Sequence, residues 1–432
     1  MAELRAVAGG VTRALFARTA GALAPADVDV LITACSSFSP IPSTASVLMA
    51  EIGGFRPDCE AYHLGGQACA AGPLAAALAG DVLAGLRARG RRPGGGQGGC
   101  FGACFRLGSG GGGTGGRRRA PPRSLNALVV VYENLTAGMY VGSDPAMLAT
   151  TGLIRSGGAA LWVADRAVAG GGSASGVRAK YRLAATGRFH AGARDPASLG
   201  AIGQRTDGDG VVGSYFTPAI PKAAAEAVEG ALRAVATAGL RPGQLARAFL
   251  EGRRAARSKG AGAAATPPLD EKKPTPPVWA TPAGRIDHFA LHPGIHAMLR
   301  GFVASLGVPP PRALPAFAAL RDYGNTSAPS TLYVLAYIES LVGVRKGQRI
   351  LQLGVGAGMK AGANVWVAQR AVGGVVAGAP CHHAAWAHLG GTPVADADLP
   401  IPMAGRAKKE GQVQDGRDLM EGATGLVEGL VG

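Results

Sequence analysis

The chain has 432 residues, 47% of them hydrophobic, a mean hydropathy of +0.16 and six cysteines at no even spacing. It is long enough for one large layered domain or two to three ordinary ones, too apolar to be disordered throughout, and in no need of disulfide staples, so a reducing compartment fits. The formal charge of +16 points toward nucleic acid or an anionic membrane, but nine arginines and no acids fall between Arg87 and Arg123, among glycine runs. The excess charge therefore belongs to a low-complexity insertion at 90–123; an RNA-binding arginine–glycine segment is the alternative, with only Phe101 and Phe105 as interleaved aromatics, and no nucleic-acid partner is expected.

In chain order, Met1 to Ala20 reads as an amphipathic helix with Leu4, Val7, Val11 and Leu15 at helical spacings, and lacks the pattern of a signal peptide. No run of 18 or more uncharged apolar residues follows, so no segment is expected to span a bilayer. Asp27–Cys35 is a buried-strand pattern, followed by Pro40 and Pro42 and a helix pattern over Ser43–Ile52. A strand at Ala61–Leu64 passes through Gly65-Gly66 into a long helix of small residues that ends near Arg89. Leu125–Tyr132 is a strongly apolar strand. Gly158–Ala164 and Lys180–Thr186 are further strands, expected to pair antiparallel because no helical pattern separates them. Pro218–Ala238 is a helix, and Gly252–Pro277, with five prolines, is a breaker segment. Beyond it lie helix patterns at Ile295–Leu306 and Ser330–Val342, strands at Arg349–Leu353 and Asn364–Val367, and a charged, weakly periodic tail from Ala404. Strands alternating with helices predict a layered α/β fold.

Cys69 is the most informative residue. In Leu64-Gly-Gly-Gln-Ala-Cys-Ala-Ala-Gly72 it falls at the first turn of a helix, where unpaired N–H groups and the helix dipole favour the thiolate, so reactivity near neutral pH is expected. A cysteine among alanines is otherwise a small buried hydrophobe. His288, His292 and His296 have the spacing of a metal stripe, but Pro293-Gly294 breaks the helix that would align them, which leaves His292 as a loop histidine suited to general-base or hydrogen-bonding work. Asn325, in Tyr323-Gly-Asn-Thr-Ser327, is either a helix-cap residue or a polar site residue. Gly354-Val-Gly-Ala-Gly358 follows a strand but lacks the helix and downstream acid of a dinucleotide site. Cys100 and Cys104 lack paired ligands, and Cys381-His-His383 with His388 is only a loose metal pattern, so no metal site is assigned.

Taken together these motifs resemble those of the plant-type 3-ketoacyl-CoA synthases, fatty-acid-elongating condensing enzymes of the thiolase superfamily related to chalcone synthases and ketoacyl-carrier-protein synthase III. The resemblance rests on Gly-Gly-x-x-Cys69-x-Ala-Gly, His292 after His288-Phe289, Gly324-Asn-Thr-Ser327 and Gly354–Gly358, in that order. Further matches are Ala34-Cys-Ser36, Pro40-x-Pro-Ser43, Glu133-Asn-Leu-Thr136, Phe189-His-Ala-Gly-Ala193 and Tyr337-Ile-Glu339. It implies a thiolase-like layered αβαβα fold made of two similar halves. The nucleophile half is then 1–251 with its insertion at 90–123, a linker covers 252–280, the half carrying His and Asn is 281–395, and a loose tail covers 396–432.

The same resemblance implies that Cys69 carries the acyl group and that His292 and Asn325 hold the enolate oxygen formed when malonyl-CoA loses CO2. His190 and His288 would support them, and a backbone N–H from the region of Gly356 and Gly358 would hold a second oxyanion. Implied partners are malonyl-CoA and a long- or very-long-chain acyl-CoA, a second copy of the chain in a homodimer, and other elongase components; no cofactor is implied beyond the CoA thioesters. The family is placed at the endoplasmic reticulum membrane through two spanning helices ahead of this region, which this chain does not show, so peripheral attachment or truncation is expected. The family's usual Met-Gly before the nucleophile is Gln67-Ala68 here, and its His-Ala-Gly-Gly is His292-Pro-Gly-Ile295. The alternatives are a type III polyketide synthase-like condensing enzyme, a cysteine hydrolase with the order Cys, His, Asn, and an inactive truncated acyl-CoA-binding remnant.

Overall fold

Ten strands alternate with helices in the computed structural model, which describes residues 1–19, 21–89, 123–166, 177–239 and 286–373. The predicted insertion up to residue 122, the linker at 252–280, the tail at 396–432, and Cys100, Cys104, Cys381, His382, His383 and His388 lie outside the described residues. The first sheet has the order β2-β1-β3-β4, formed by β1 (Val30–Cys35), β2 (Glu60–Gly65), β3 (Asn126–Glu133) and β4 (Gly157–Ala164). β1 is parallel to both β2 and β3, and β4 runs antiparallel to β3. Every residue of β1 and β3 is buried, which explains why both read as near-continuous apolar runs: helices cover the two faces of this sheet.

The second sheet has the order β5-β10-β9-β8, from β5 (Tyr181–His190), β8 (His288–Leu291), β9 (Arg349–Gly356) and β10 (Lys360–Ala368). β8 and β9 are parallel, whereas β10 is antiparallel to β9 and to β5. β6 (Ile202–Thr206) and β7 (Val212–Phe216) form a separate hairpin. Both main sheets thus combine parallel strands with an antiparallel return, as two similar halves require.

Helices Ala71–Ala88 and Ser330–Tyr337 fill the space between the sheets, touching strands of both and each other. The N-terminal run, Ala2–Leu4 continuing through a π turn at Arg5–Gly9 into Gly10–Arg18, covers the outer face of the first sheet with helix Thr44–Ile52. Helices Ile220–Gly239, His296–Ser305 and Pro310–Tyr323 cover the outer face of the second. The layers are helix, sheet, helix, sheet, helix, as predicted. Small residues are what admit the central helix: a Cβ on Gly72 would lie 2.7 Å from the Ala328 carbonyl. Ala68–Ala88 is long and apolar enough to cross a membrane by length and composition, but here it is the innermost helix of the core.

Three expectations need correction. β4 and β5 are not a pair: β4 lies beside β3 and β5 beside β10 in the other sheet. The two strands are separated by residues 165–180, many more than a hairpin turn uses. β9 does not stop at Leu353 but runs on through Gly354-Val-Gly356. The helix predicted to end at Val342 changes to a π turn over Ile338–Val342. Helices Pro145–Leu153 and Pro310–Tyr323 are structural findings; in the latter, prolines in the first turn occupy positions where the N–H has no helical partner, and Pro315 is tolerated farther in.

Candidate active site

Cys69 is the middle residue of a 3₁₀ turn, Ala68–Ala70, through which β2 enters helix Ala71–Ala88. The approach to it is bent: Gly66 has φ 64° and Ala68 has φ 47°. Ala68 and Ser327 (φ 55°) are the only non-glycine residues at positive φ among the described residues, and both belong to Cys69, one preceding it and the other receiving its thiol. The Cys69 Sγ–H donates to Ser327 Oγ at 3.3 Å. Such backbone conformations cost about 1–3 kcal/mol each and persist where surrounding bonds over-determine them.

Those bonds can be traced. The Ser327 N–H donates to Asn325 Oδ1 at 2.8 Å, which leaves the Asn325 amide NH2 as the donor end toward the Cys69 sulfur. Ser327 Oγ is 3.0 Å from Ser36 Oγ. The Ser330 hydroxyl donates to the Ser327 carbonyl at 2.6 Å and lies 2.8 Å from His292 Nδ1. Because the single Ser330 hydroxyl hydrogen points at the carbonyl, Nδ1 of His292 carries the ring hydrogen and donates to Ser330, so Nε2 presents its lone pair. The His292 N–H donates to the Leu353 carbonyl at 2.9 Å, fixing the residue where β8 ends against β9. His292, Asn325, Ser327 and Ser330 are all buried.

Beneath this chain sits a carboxyl group. Glu133, fully buried at the end of β3, accepts from the Ser36 N–H, the Ser36 hydroxyl and the Ala328 N–H, the last at 3.1 Å. Burial raises its pKa from the usual carboxylate range despite those donors. Burial also pushes the Cys69 thiol up to about 11, with bonds from Ser327 and Asn325 pulling the other way and the Glu133 charge adding to the rise. Loss of hydration thus opposes the thiolate that the helix end was expected to favour. Burial alone drives His292 down to about 3, so at neutral pH its ring is uncharged.

β9 is the floor of the site. A Cβ on Gly354 would meet the Cys69 carbonyl at 2.9 Å, and one on Gly356 would meet the Gln67 carbonyl at 2.6 Å and the Ala70 nitrogen at 2.9 Å. The glycine-rich stretch is therefore a strand stripped of side chains so that the turn carrying Cys69 can lie on it, and Gly358 (φ 94°) alone serves the turn into β10.

The two expected supporting histidines are not part of this hydrogen-bond chain. His288 opens β8 at the end opposite His292, roughly 13 Å of strand away, with Nε2 3.1 Å from Gln348 Oε1. His190 ends β5 in register with Lys360 and is exposed; its pKa is lowered by burial, then by Lys360 and Arg188. Neither joins the hydrogen-bond chain at Cys69. His296 heads its own helix and packs edge-on against Phe317, so the three histidines occupy three elements, as the Pro293-Gly294 break predicts. Ser36 and Glu133 fall in the motifs Ala34-Cys-Ser36 and Glu133-Asn-Leu-Thr136, which carried the resemblance without assigning either a role, and Ser330 was not legible as a site residue.

The family described as FAE1/type III polyketide synthase-like protein matches residues 1–89 and 120–250, and the 3-oxoacyl-[acyl-carrier-protein] synthase III C-terminal family matches 281–368. The chain belongs to the FAE1/type III polyketide synthase-like family. Within it, the chain is 29% identical over 370 residues to 3-ketoacyl-CoA synthase 16 of Arabidopsis thaliana, covering 86% of this chain and 63% of that one. It is 31% identical over 352 residues to the probable 3-ketoacyl-CoA synthase 20 of Oryza sativa subsp. japonica, covering 81% and 56%. The chain thus spans less than two thirds of the length of these curated relatives. Its fold is similar to that of germicidin synthase from Streptomyces coelicolor, a type III polyketide synthase, with TM-score 0.52, 19% identity, and 84% and 72% of the two chains covered. It is likewise similar to 1,3,6,8-tetrahydroxynaphthalene synthase from Streptomyces coelicolor A3(2), with TM-score 0.52, 20% identity, and 83% and 76% covered. The thiolase-like fold expected from the motifs is the fold found.

Proposed function

We propose that this chain is a condensing acyltransferase that joins malonyl-CoA to a long- or very-long-chain acyl-CoA with loss of CO2, giving 3-ketoacyl-CoA, the first step of fatty acid elongation. The observation that carries the reading is the hydrogen-bond chain from Cys69 through Ser327 and Ser330 to His292, with Asn325 bound to the same Ser327. Similarity to proteins named 3-ketoacyl-CoA synthase supports it.

In this scheme the Cys69 thiol proton passes to His292 Nε2. The thiolate attacks the acyl-CoA carbonyl; a new thioester forms on Sγ, and the CoA thiolate leaves and is protonated by solvent. Malonyl-CoA then binds, its C–CO2 bond breaks, and the electron pair becomes an enolate. The imidazolium Nε2–H and the Asn325 NH2 donate to the enolate oxygen; losing one such donor typically costs about 10²- to 10³-fold in rate. The carbanion attacks the acyl carbonyl on Cys69, the C–S bond breaks, 3-ketoacyl-CoA departs, and the thiolate faces the imidazolium for the next turnover. Only the two CoA thioesters enter these steps. A homodimer, other elongase components and attachment to the endoplasmic reticulum membrane belong to the same reading.

The test is incubation with labelled malonyl-CoA and acyl-CoAs of graded length. Wild type yields labelled 3-ketoacyl-CoA and Cys69→Ala does not; undiminished product from the variant refutes the assignment of the nucleophile.

A further inference from the structure

The turn that presents Cys69 is held from outside by one cation. Lys360, the first residue of β10, is half-buried and places Nζ 3.3 Å from the Gly66 carbonyl and 3.1 Å from Gln67 Oε1. Both acceptors are uncharged, and both precede Cys69 by no more than three residues. The lysine's own position is fixed in turn: its backbone pairs with Gly356 on one side and His190 on the other. Gln67 is further tied by its Nε2, which donates to the Gly65 carbonyl at 3.3 Å.

What this arrangement opposes is the backbone of Ala68. At φ 47° an alanine sits in the left-handed region, and relaxing to a right-handed conformation would relieve it while turning the following residue away from Ser327. Gly356 closes the turn from below, since a Cβ there would lie 3.1 Å from Ala68 Cβ, but nothing in that contact stops Gly66-Gln67 from lifting off. A charge-assisted grip on the Gly66 carbonyl and the Gln67 side chain does.

We propose that Lys360 is a positioning residue for the nucleophile: it clamps Gly66-Gln67, holds Ala68 in its left-handed conformation, and so aims the Cys69 thiol at Ser327. This inference rests on Cys69 being the nucleophile, not on which acyl group it carries. Burial of the ammonium, which lowers its pKa, agrees with a role aimed inward rather than at solvent.

Because the claim concerns Cys69 itself, alkylation of that thiol by iodoacetamide at about pH 9 reads it without any substrate. Lys360→Met is expected to slow modification of Cys69 by about tenfold while melting close to wild type. Lys360→Arg, which keeps the donors, is expected to stay within about threefold of wild type. The discriminating variant is Lys360→Met with Ala68→Gly: glycine removes the strain the clamp opposes and is expected to recover most of the lost rate. The inference is overturned if Lys360→Met alkylates at the wild-type rate, or if Ala68→Gly deepens the loss instead of repairing it. Failure of ketoacyl-CoA synthesis with normal alkylation would count against the proposed reaction and leave the clamp standing.

Discussion

Replacing Ser330 by alanine removes one oxygen that serves two buried partners. Its hydroxyl donates to the Ser327 carbonyl at 2.6 Å and meets His292 Nδ1 at 2.8 Å, and the residue is fully buried. His292 Nδ1 left without a bond in a dry interior costs about 1–3 kcal/mol, whereas the Ser327 carbonyl keeps the Ser330 backbone N–H at 3.1 Å, so the variant should lose about 1–3 kcal/mol of stability out of the 5–15 kcal/mol of a typical domain. The functional effect is separable. Without Ser330, Nδ1 no longer has to carry the ring hydrogen, and the tautomer with a protonated Nε2 cannot accept the Cys69 proton. We expect kcat to fall by about 10²-fold with KM little changed, and Ser330→Thr to retain most of the rate. The assay is 3-ketoacyl-CoA formation from labelled malonyl-CoA, performed at a temperature where urea titration shows both proteins fully folded. A stable Ser330→Ala protein with wild-type kcat would refute the tautomer argument.

The low pKa of His292 also links stability to pH. The folded ring resists protonation down to about 3 whereas the unfolded one takes a proton near 6.5, so the unfolded state gains protons in that window and stability falls as pH is lowered through it. One such histidine contributes at most about 1.4 kcal/mol per pH unit, and His292→Gln should flatten the dependence of the urea midpoint between about pH 7 and about pH 4.5; identical slopes would contradict the assignment. Gly356→Ala would place a methyl 2.6 Å from the Gln67 carbonyl and 2.9 Å from the Ala70 nitrogen, both main-chain atoms that cannot step aside. Acylation of Cys69 by acyl-CoA should drop by at least about 10²-fold, measured by intact-mass labelling, while Gly152→Ala, in open space on a surface helix, should leave it unchanged.

Much of the architecture was written in local patterns. β1 and β3 announced themselves because strands buried on both faces are apolar throughout, and helix Thr44–Ile52 because Ser43 caps it, its Oγ accepting from the Ala45 N–H, with Gly53 at φ 72° ending it. The pairing of β4 and β5 could not be read this way, since adjacency in sequence says nothing about a connection long enough to change layers. Cys69, His292 and Asn325 were singled out through motifs, and hydrogen bonds link all three to Ser327, His292 by way of Ser330. The effect opposing the thiolate was not legible, because helix-end electrostatics is visible in sequence and burial is not. Ser330 and Lys360 were invisible for a related reason: a serine inside a helix and a lysine at a strand end are unremarkable until the fold aims one at His292 and the other at Gly66. His288 stands at the far end of β8 from His292, and His190 pairs with Lys360 without a hydrogen bond to the chain at Cys69.

The most direct measurement is the mass of the intact protein after mixing with a long-chain acyl-CoA and then with malonyl-CoA. The expected result is an increase equal to one acyl group, located by peptide mapping on Cys69, that disappears when malonyl-CoA is added as 3-ketoacyl-CoA appears in equal amount. An acyl group on any other residue, or one on Cys69 that malonyl-CoA does not discharge, would contradict it.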